Sequence, residues 1–242
     1  MNSSILSLPY DVKAKFLERP NRFLGLVEIM DNKTNKPSIE KVHIHDPGRL
    51  QELLFHGNQV LLKRVENPAR KTCWDMLAAY VNNKWILVHS GYHRSIVENI
   101  LKHPKINPFG ELLEIIPEVR LGNSRLDFLL TKNDGKKIYL EVKGCTLAHN
   151  GTALFPDAPT TRGTRHLKTL MSAKLSGVDA AILILIFRSD SGCFAPNRNT
   201  DPKFAEVFKN AINHGVKVYP RVFSYNGKNI FYGKTIPVCP NL

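Results

Sequence analysis

SRLDFLLTKNDGKKIYLEVK, residues 124–143, is the stretch on which the architecture turns. Arg125–Leu130 and Lys137–Lys143 are rich in residues that favour extended chain, and Asn133-Asp134-Gly135 between them is turn chemistry, so the segment reads as a β-hairpin. On a strand alternate side chains share a face. Glu141 and Lys143 therefore point one way, while Leu140 and Val142 point into the opposite layer. Asp127, on the first hairpin strand, is placed to sit beside them. Two carboxylates at one spot repel unless a cation lies between them. Mg²⁺ or Mn²⁺ takes such oxygen ligands, which makes Asp127 and Glu141 candidate metal ligands. A lysine beside the ion can orient or deprotonate a water, or offset charge growing on a phosphate. The residue types thus describe phosphodiester hydrolysis, with Asp127, Glu141 and Lys143 as its catalytic groups. The plain alternative is a solvated strand face with one weak ion pair. Against it stands the apolar run Ile138, Tyr139, Leu140 leading into Glu141, which marks a strand that enters a core.

Working outward, Tyr92–His103 predicts an amphipathic helix with Ile96, Val97, Ile100 and Leu101 on one face. Glu118–Leu121 is a strand before the hairpin. A second helix is expected from about Arg162 to Ser176, capped by Thr161, with Leu167, Leu170, Met171 and Leu175 as its apolar stripe. Val178–Phe187 is so uniformly aliphatic that both its faces must be covered, as in a central strand of an α/β sheet. Asp201-Pro202 opens a third helix that stops at Gly215. Two strands close the chain, Val216–Tyr225 and Asn229–Tyr232.

The first half reads differently. Arg22–Met30, Ile39–His45, Gln59–Val65, Cys73–Val81 and Lys84–Val88 predict five short strands. A helical turn carrying Leu50, Leu53 and Leu54 lies among them. This pattern suits a small closed barrel of the OB type, and an SH3-like barrel equally well. The fold expected is an all-β OB-like barrel over residues 1–90, followed by an α/β domain over 91–242.

Composition narrows the partners. The 242 residues carry 34 Lys+Arg against 21 Asp+Glu, a formal charge of +13. Such a balance favours a polyanion, DNA above all, with RNA left open. With 43 % apolar and 23 % charged residues the chain is neither disordered nor low-complexity. Cys73, Cys145, Cys193 and Cys239 lack zinc-ribbon spacing and are expected as free, mostly buried thiols in a reducing compartment. The start of the chain lacks a secretory pattern, and the longest apolar run is too short to span a bilayer, so a soluble, cytoplasmic protein with no membrane partner is expected. Oligomeric state is not encoded.

The order helix, three strands, helix, strand with Asp127 and Glu141-Val142-Lys143 resembles the PD-(D/E)XK nuclease superfamily. The resemblance then tightens. Ser124-Arg125-Leu126-Asp127-Phe128, Glu141-Val142-Lys143, Phe155-Pro156-Asp157-Ala158, Thr161-Arg162-Gly163 and His166-Leu167 resemble the sugar fermentation stimulation protein family. So do Asn21-Arg22-Phe23-Leu24, Asp46-Pro47-Gly48-Arg49-Leu50, Arg70-Lys71 with Trp74, and Trp85 to Val88. The chain departs from that family's pattern at His45-Asp46-Pro47-Gly48, where Pro-Asn-Thr-Gly is usual, and at Gly144, where Ser is usual. The resemblance implies an OB-like barrel before a nuclease-like domain, non-specific DNA binding, and a regulatory link to sugar, notably maltose, metabolism. It also implies a carboxylate from the first helix of the nuclease-like domain, which nominates Glu98 as a further catalytic residue, with Glu118 as its rival.

Other residues are candidates for nucleic-acid contact. Arg162 and His166 lie one turn apart, on the side of their helix opposite the expected stripe. There a helix N-terminus next to a metal can hold a phosphate. His166 can equally be a structurally hydrogen-bonded residue. Arg125 flanks the acid of its strand. Lys63, Arg64, Arg70 and Lys71 around Trp74 can track a phosphate backbone and stack a base, or simply be a solvated barrel rim. His43 and His45 form H-x-H, which can hold zinc, but no third ligand is evident nearby, so a polar strand face is expected.

Overall fold

The computed structural model describes residues 4–30 and 36–240. The chain divides into two compact units, one of residues up to Tyr92 with Phe223–Tyr232, the other of His93–Val222 with Gly233 onward.

In the first unit β1 (Ser4–Ser7) is followed by β2 (Val12–Asn21), β3 (Leu24–Met30), β4 (Pro37–His43), β5 (Gln59–Arg64), β6 (Trp74–Val81) and β7 (Lys84–Leu87). Strands β4-β3-β2-β5-β6 are hydrogen-bonded in that order, and β4 pairs again with β6, Val42 opposite Trp74, which closes a five-stranded barrel. Phe16, Val27, Val42, Val60, Leu62 and Met76 fill it and are buried. Closure pairs β4, the end strand of this set, with β6, the OB solution to the edge problem.

The barrel is built from a different set of five strands than the sequence predicts. Val12–Asn21 supplies a strand, because Ala14 and Phe16 alternate inward while Lys13, Lys15 and Arg19 stay outside or half-buried. Lys84–Leu87 lies beyond the barrel, pairing with β6 and, through Trp85, with Tyr225. The short helix expected around Leu50 is a turn, with Leu53 and Leu54 N–H groups both donating to the Leu50 carbonyl. Arg19 explains it. Its guanidinium donates to the carbonyls of Arg22, Asp46, Gly48 and Arg49, satisfying loop backbone without a helix. Tail residues complete this unit, since Ser4 lies opposite Phe231 and the Tyr225 hydroxyl donates to the Leu8 carbonyl at 2.6 Å.

The second unit contains α1 (His93–Lys102), β8 (Leu112–Leu121), β9 (Ser124–Lys132), β10 (Lys137–Cys145), β11 (Ala148–His149), β12 (Thr152–Phe155), α2 (Thr161–Leu175), β13 (Asp179–Ile186), β14 (Cys193–Pro196), α3 (Pro202–Asn213), β15 (Lys217–Tyr225) and β16 (Asn229–Thr235). The last residues of β15 and the first of β16 belong to the first unit. The sheet runs β15-β13-β10-β9-β8, with β13 parallel to both its neighbours and the β8–β9–β10 meander antiparallel. A small second sheet, β11-β12-β14, stands apart from it.

Ala180 to Ile186 of β13 are all buried, as an aliphatic strand with both faces covered requires. Against one face lie α2 and α3, whose Leu167, Leu170, Phe204, Val207 and Phe208 pack with Ile182, Ile184 and Phe194. On the other face Gly144 makes room for α1. A Cβ at Gly144 would collide with the His93 ring, which itself stacks on Phe187, so the departure from serine at this position has a steric cause. Asp201 fixes two helices at once. Its Oδ1 accepts the Phe204 N–H to cap α3, and its Oδ2 accepts the N–H of Thr160, the residue that caps α2. The cap of α2 is therefore Thr160, one residue before the expected Thr161; such a cap contributes about 1 kcal/mol.

Two of the four cysteines are not free thiols. Cys193 and Cys239 form a disulfide across 46 residues, which corrects the expectation for that pair. Spacing that excludes a metal knuckle does not exclude a distant partner, and here Val238, bridged to Phe194, carries Cys239 to β14. Cys73 is exposed; Cys145 is buried, its thiol donating to the Leu147 and Leu154 carbonyls, and neither is in a disulfide. Among the described residues no helix is long and apolar enough to cross a membrane.

Candidate active site

The candidate site grows from the hairpin. Register places Leu140 opposite Phe128, after which β9 and β10 diverge. The next residues are then free to turn their polar groups toward each other. Asp127 uses that gap, its Oδ2 accepting the Val142 N–H at 2.6 Å. Glu141 points to the α2 side of the sheet and is 3 % exposed. Its Oε1 receives both the Lys143 ammonium and, at 2.5 Å, the Nδ1–H of His166. Its Oε2 is buried with no hydrogen-bond partner. An unpartnered carboxylate oxygen in the interior is costly unless a ligand satisfies it.

The electrostatics follow from this packing. Burial, followed by the neighbouring Glu141 charge, pushes Asp127 up to about 6, although the Val142 N–H and Lys143 pull the other way. Burial alone would raise Glu141, but Lys143 and His166 outweigh it and hold its carboxyl below the ordinary value. The pair thus differ in proton affinity, with Asp127 the one that yields its charge first. This gives a test. In unfolded chain Asp127 ionises near the ordinary value of 3.8, in the folded protein only near 6. Ionised Asp127 therefore opposes folding, fully above pH 6 and not at all below about 4. Asp127→Asn, which keeps an oxygen for the Val142 N–H, is expected to stabilise the metal-free protein at pH 8 by up to about 3 kcal/mol, at about 1.4 kcal/mol per pKa unit. The gain should disappear as pH falls from 6 to 4 in urea melts; an equal gain at every pH would refute the assignment.

His166 is not on the solvent side of α2. It is 2 % exposed and shares the inner face with Gly163, Leu167, Leu170 and Ala173, while Leu175 of the expected stripe is 71 % exposed. The wheel misplaces the stripe because two inward positions, Gly163 and His166, are not apolar. His166 consequently meets Glu141 and not an open phosphate pocket. A small hollow lined by Glu141, Lys143, Gly163, His166, Ile182, Phe204 and Phe208 lies beside it.

The remaining candidates are dispersed. Glu98 accepts from Arg94, which also approaches Glu118, and Glu118 in turn faces Arg125. The two rival acids thus sit in one chain of exposed ion pairs. Arg162 is exposed in the first turn of α2. In the barrel, Arg64 lies 5.8 Å over the Trp74 ring, and Lys63 approaches Asp11 and the Pro9 carbonyl. Lys71 is exposed, whereas Arg70 is committed to both oxygens of Asp75.

An OB barrel joined to a mixed sheet bearing Asp127 and Glu141-Val142-Lys143 at a diverging hairpin defines a PD-(D/E)XK nuclease-like protein. Residues 17–88 match the SfsA N-terminal OB domain, and residues 91–229 match the Sugar fermentation stimulation protein RE domain. The chain belongs to the sugar fermentation stimulation protein family. A homologue of that name from Methanococcoides burtonii is 51 % identical over 98 % of this chain and 96 % of its own. Another from Thermotoga neapolitana is 43 % identical over 97 % of this chain and 98 % of its own. The solved structure of Pyrococcus furiosus SfsA in complex with Ca²⁺ superposes with a TM-score of 0.88 at 28 % identity, covering 98 % of this chain and 99 % of that one.

Proposed function

We propose that this protein is a divalent-metal-dependent DNA nuclease without strong sequence preference. Asp127 and Glu141 would hold the ion, Mg²⁺ or Mn²⁺, and Lys143 would serve the reaction beside it. The observation that carries this reading is the buried, unpartnered Oε2 of Glu141 next to a second acid. Hard oxygen donors of this kind suit a hard divalent cation. The Ca²⁺ complex of the P. furiosus relative supports the same class of ligand. When bound, such an ion polarises a phosphoryl oxygen and lowers the pKa of a coordinated water.

The chain's own groups have separable tasks. His166 fixes the Glu141 carboxylate through Oε1, leaving Oε2 for the ion, in the way outer partners orient metal ligands. The Val142 N–H does the same for Asp127. Lys143, tethered to Glu141, supplies a positive charge where a phosphate would gain negative charge. Non-specific affinity comes from the excess of 13 positive charges, with Lys63, Arg64, Lys71, Arg125 and Arg162 as exposed or half-exposed contributors. Glu98, tied to Arg94, is the proposed auxiliary acid. One observation favours a second reading, a non-catalytic DNA-binding regulator of sugar metabolism: Lys143 is already neutralised by Glu141.

Plasmid, linear and single-stranded DNA, with RNA in parallel, incubated with Mg²⁺ or Mn²⁺ separates the two. Metal-dependent breakage supports the nuclease; binding to intact DNA across all metals and substrates supports the regulator. In either case affinity is expected to fall at least about 100-fold between about 50 and about 200 mM salt, as released counterions oppose binding. A flat salt response would exclude the electrostatic mode of contact.

A further inference from the structure

We propose that His45, Asp75 and His89 form a second metal site, in the barrel unit, for a borderline divalent ion of the Zn²⁺ class. The three residues come from separate segments, His45 just after β4, Asp75 on β6 and His89 just after β7. One donor atom from each lies within 4.8 Å of the others. His45 Nε2 is 3.1 Å from Asp75 Oδ1, and His89 Nε2 is 3.6 Å from Asp75 Oδ2. Ligands about 2.0–2.2 Å from one zinc ion are themselves about 3–3.6 Å apart, so these spacings leave the ion its place.

Two observations besides proximity point to a ligand. His45 Nε2 is buried, aims at this cluster, and makes no aligned hydrogen bond. His89 is 6 % exposed, its Nε2 faces Asp75 Oδ2, and its Nδ1 is buried with no hydrogen-bond partner. The surroundings fix the set. Ser90 Oγ donates to the His45 carbonyl at 2.6 Å. The His45 and His89 rings stack with centroids 3.7 Å apart, and His43 and Tyr92 close against them from either side. Arg70 grips Asp75 through both oxygens, which fixes the carboxylate's orientation. Each carboxylate oxygen has about two lone-pair sites, so Arg70 leaves one on each.

The donor chemistry selects the ion. Two imidazoles and one carboxylate favour Zn²⁺, Co²⁺ or Fe²⁺ over Mg²⁺ or Ca²⁺. Three protein ligands leave a fourth position for water or an anionic group. Such an ion would cross-link the ends of β4 and β7 to β6. The site uses none of the nuclease-like residues and does not depend on their activity.

Co²⁺ and Zn²⁺ titrations of the intact chain test this, with Asp127→Asn as the background that removes the other site. Asp127→Asn protein is expected to bind one equivalent of Co²⁺ with visible d–d bands of low-symmetry coordination. Excess Mg²⁺ should not displace it, and Zn²⁺ should raise the melting temperature. His45→Gln, at a partly exposed position, and His89→Gln should each weaken binding at least about 100-fold and abolish the thermal shift. If His89→Gln does not fold, His45→Gln alone decides. Unchanged Co²⁺ affinity in His45→Gln, or no stoichiometric binding by Asp127→Asn protein, would overturn the site.

Discussion

Lys143→Ala is expected to reduce metal-dependent DNA cleavage about 100- to 1,000-fold while DNA binding changes little, the range seen when one preorganised charge is removed from a transition state. Lys143 is the cation on the same strand face as Glu141, and the two are in contact. Its loss does not strand the carboxylate, because His166 still donates to Glu141 Oε1. The fold should therefore survive, which a melting curve verifies. Cleavage assays at matched occupancy, with affinity measured separately, give the answer. A variant that cuts at the wild-type rate removes Lys143 from the chemistry; one that loses binding and cleavage together makes it a DNA contact only.

The second large effect is on stability. Phe208 is fully buried, with ring centroids 5.8 Å from Phe194 and 6.0 Å from Phe204. Phe208→Ala removes the apolar filling between α3 and the sheet, and cavities of this kind cost about 3–5 kcal/mol. Phe208 also lines the hollow beside Glu141 and His166. Its loss should admit water there and weaken the 2.5 Å bond between them. Denaturant melts are expected to show the full penalty. A loss under about 1 kcal/mol would mean that the site collapses to refill the space.

The hairpin was readable because strand period, turn chemistry and charge placement agree over twenty residues. The central strand was readable from its aliphatic run alone, and the start of α3 from Asp201-Pro202. Elsewhere the governing contact was distant. Val12–Asn21 looks polar because only Ala14 and Phe16 turn fully inward. Leu50, Leu53 and Leu54 carry helical spacing, yet Arg19, some thirty residues earlier, satisfies their loop. His166 is drawn inward by Glu141, an attraction no helical wheel contains. The partners of His45, namely Asp75 and His89, lie 30 and 44 positions on along the chain, so nothing local to His43-Ile44-His45 could announce them.

The contribution of Phe223–Tyr232 to the first unit bears on how the protein is made. A nascent chain that has emerged only to residue 90 lacks the strand facing Ser4, and the hydroxyl that Tyr225 gives to Leu8. The barrel unit must wait for Phe223–Tyr232, which follow the whole intervening second unit, before it is finished. Biogenesis here runs against the usual vectorial order, in which the leading domain matures while the ribosome is still at work on the next.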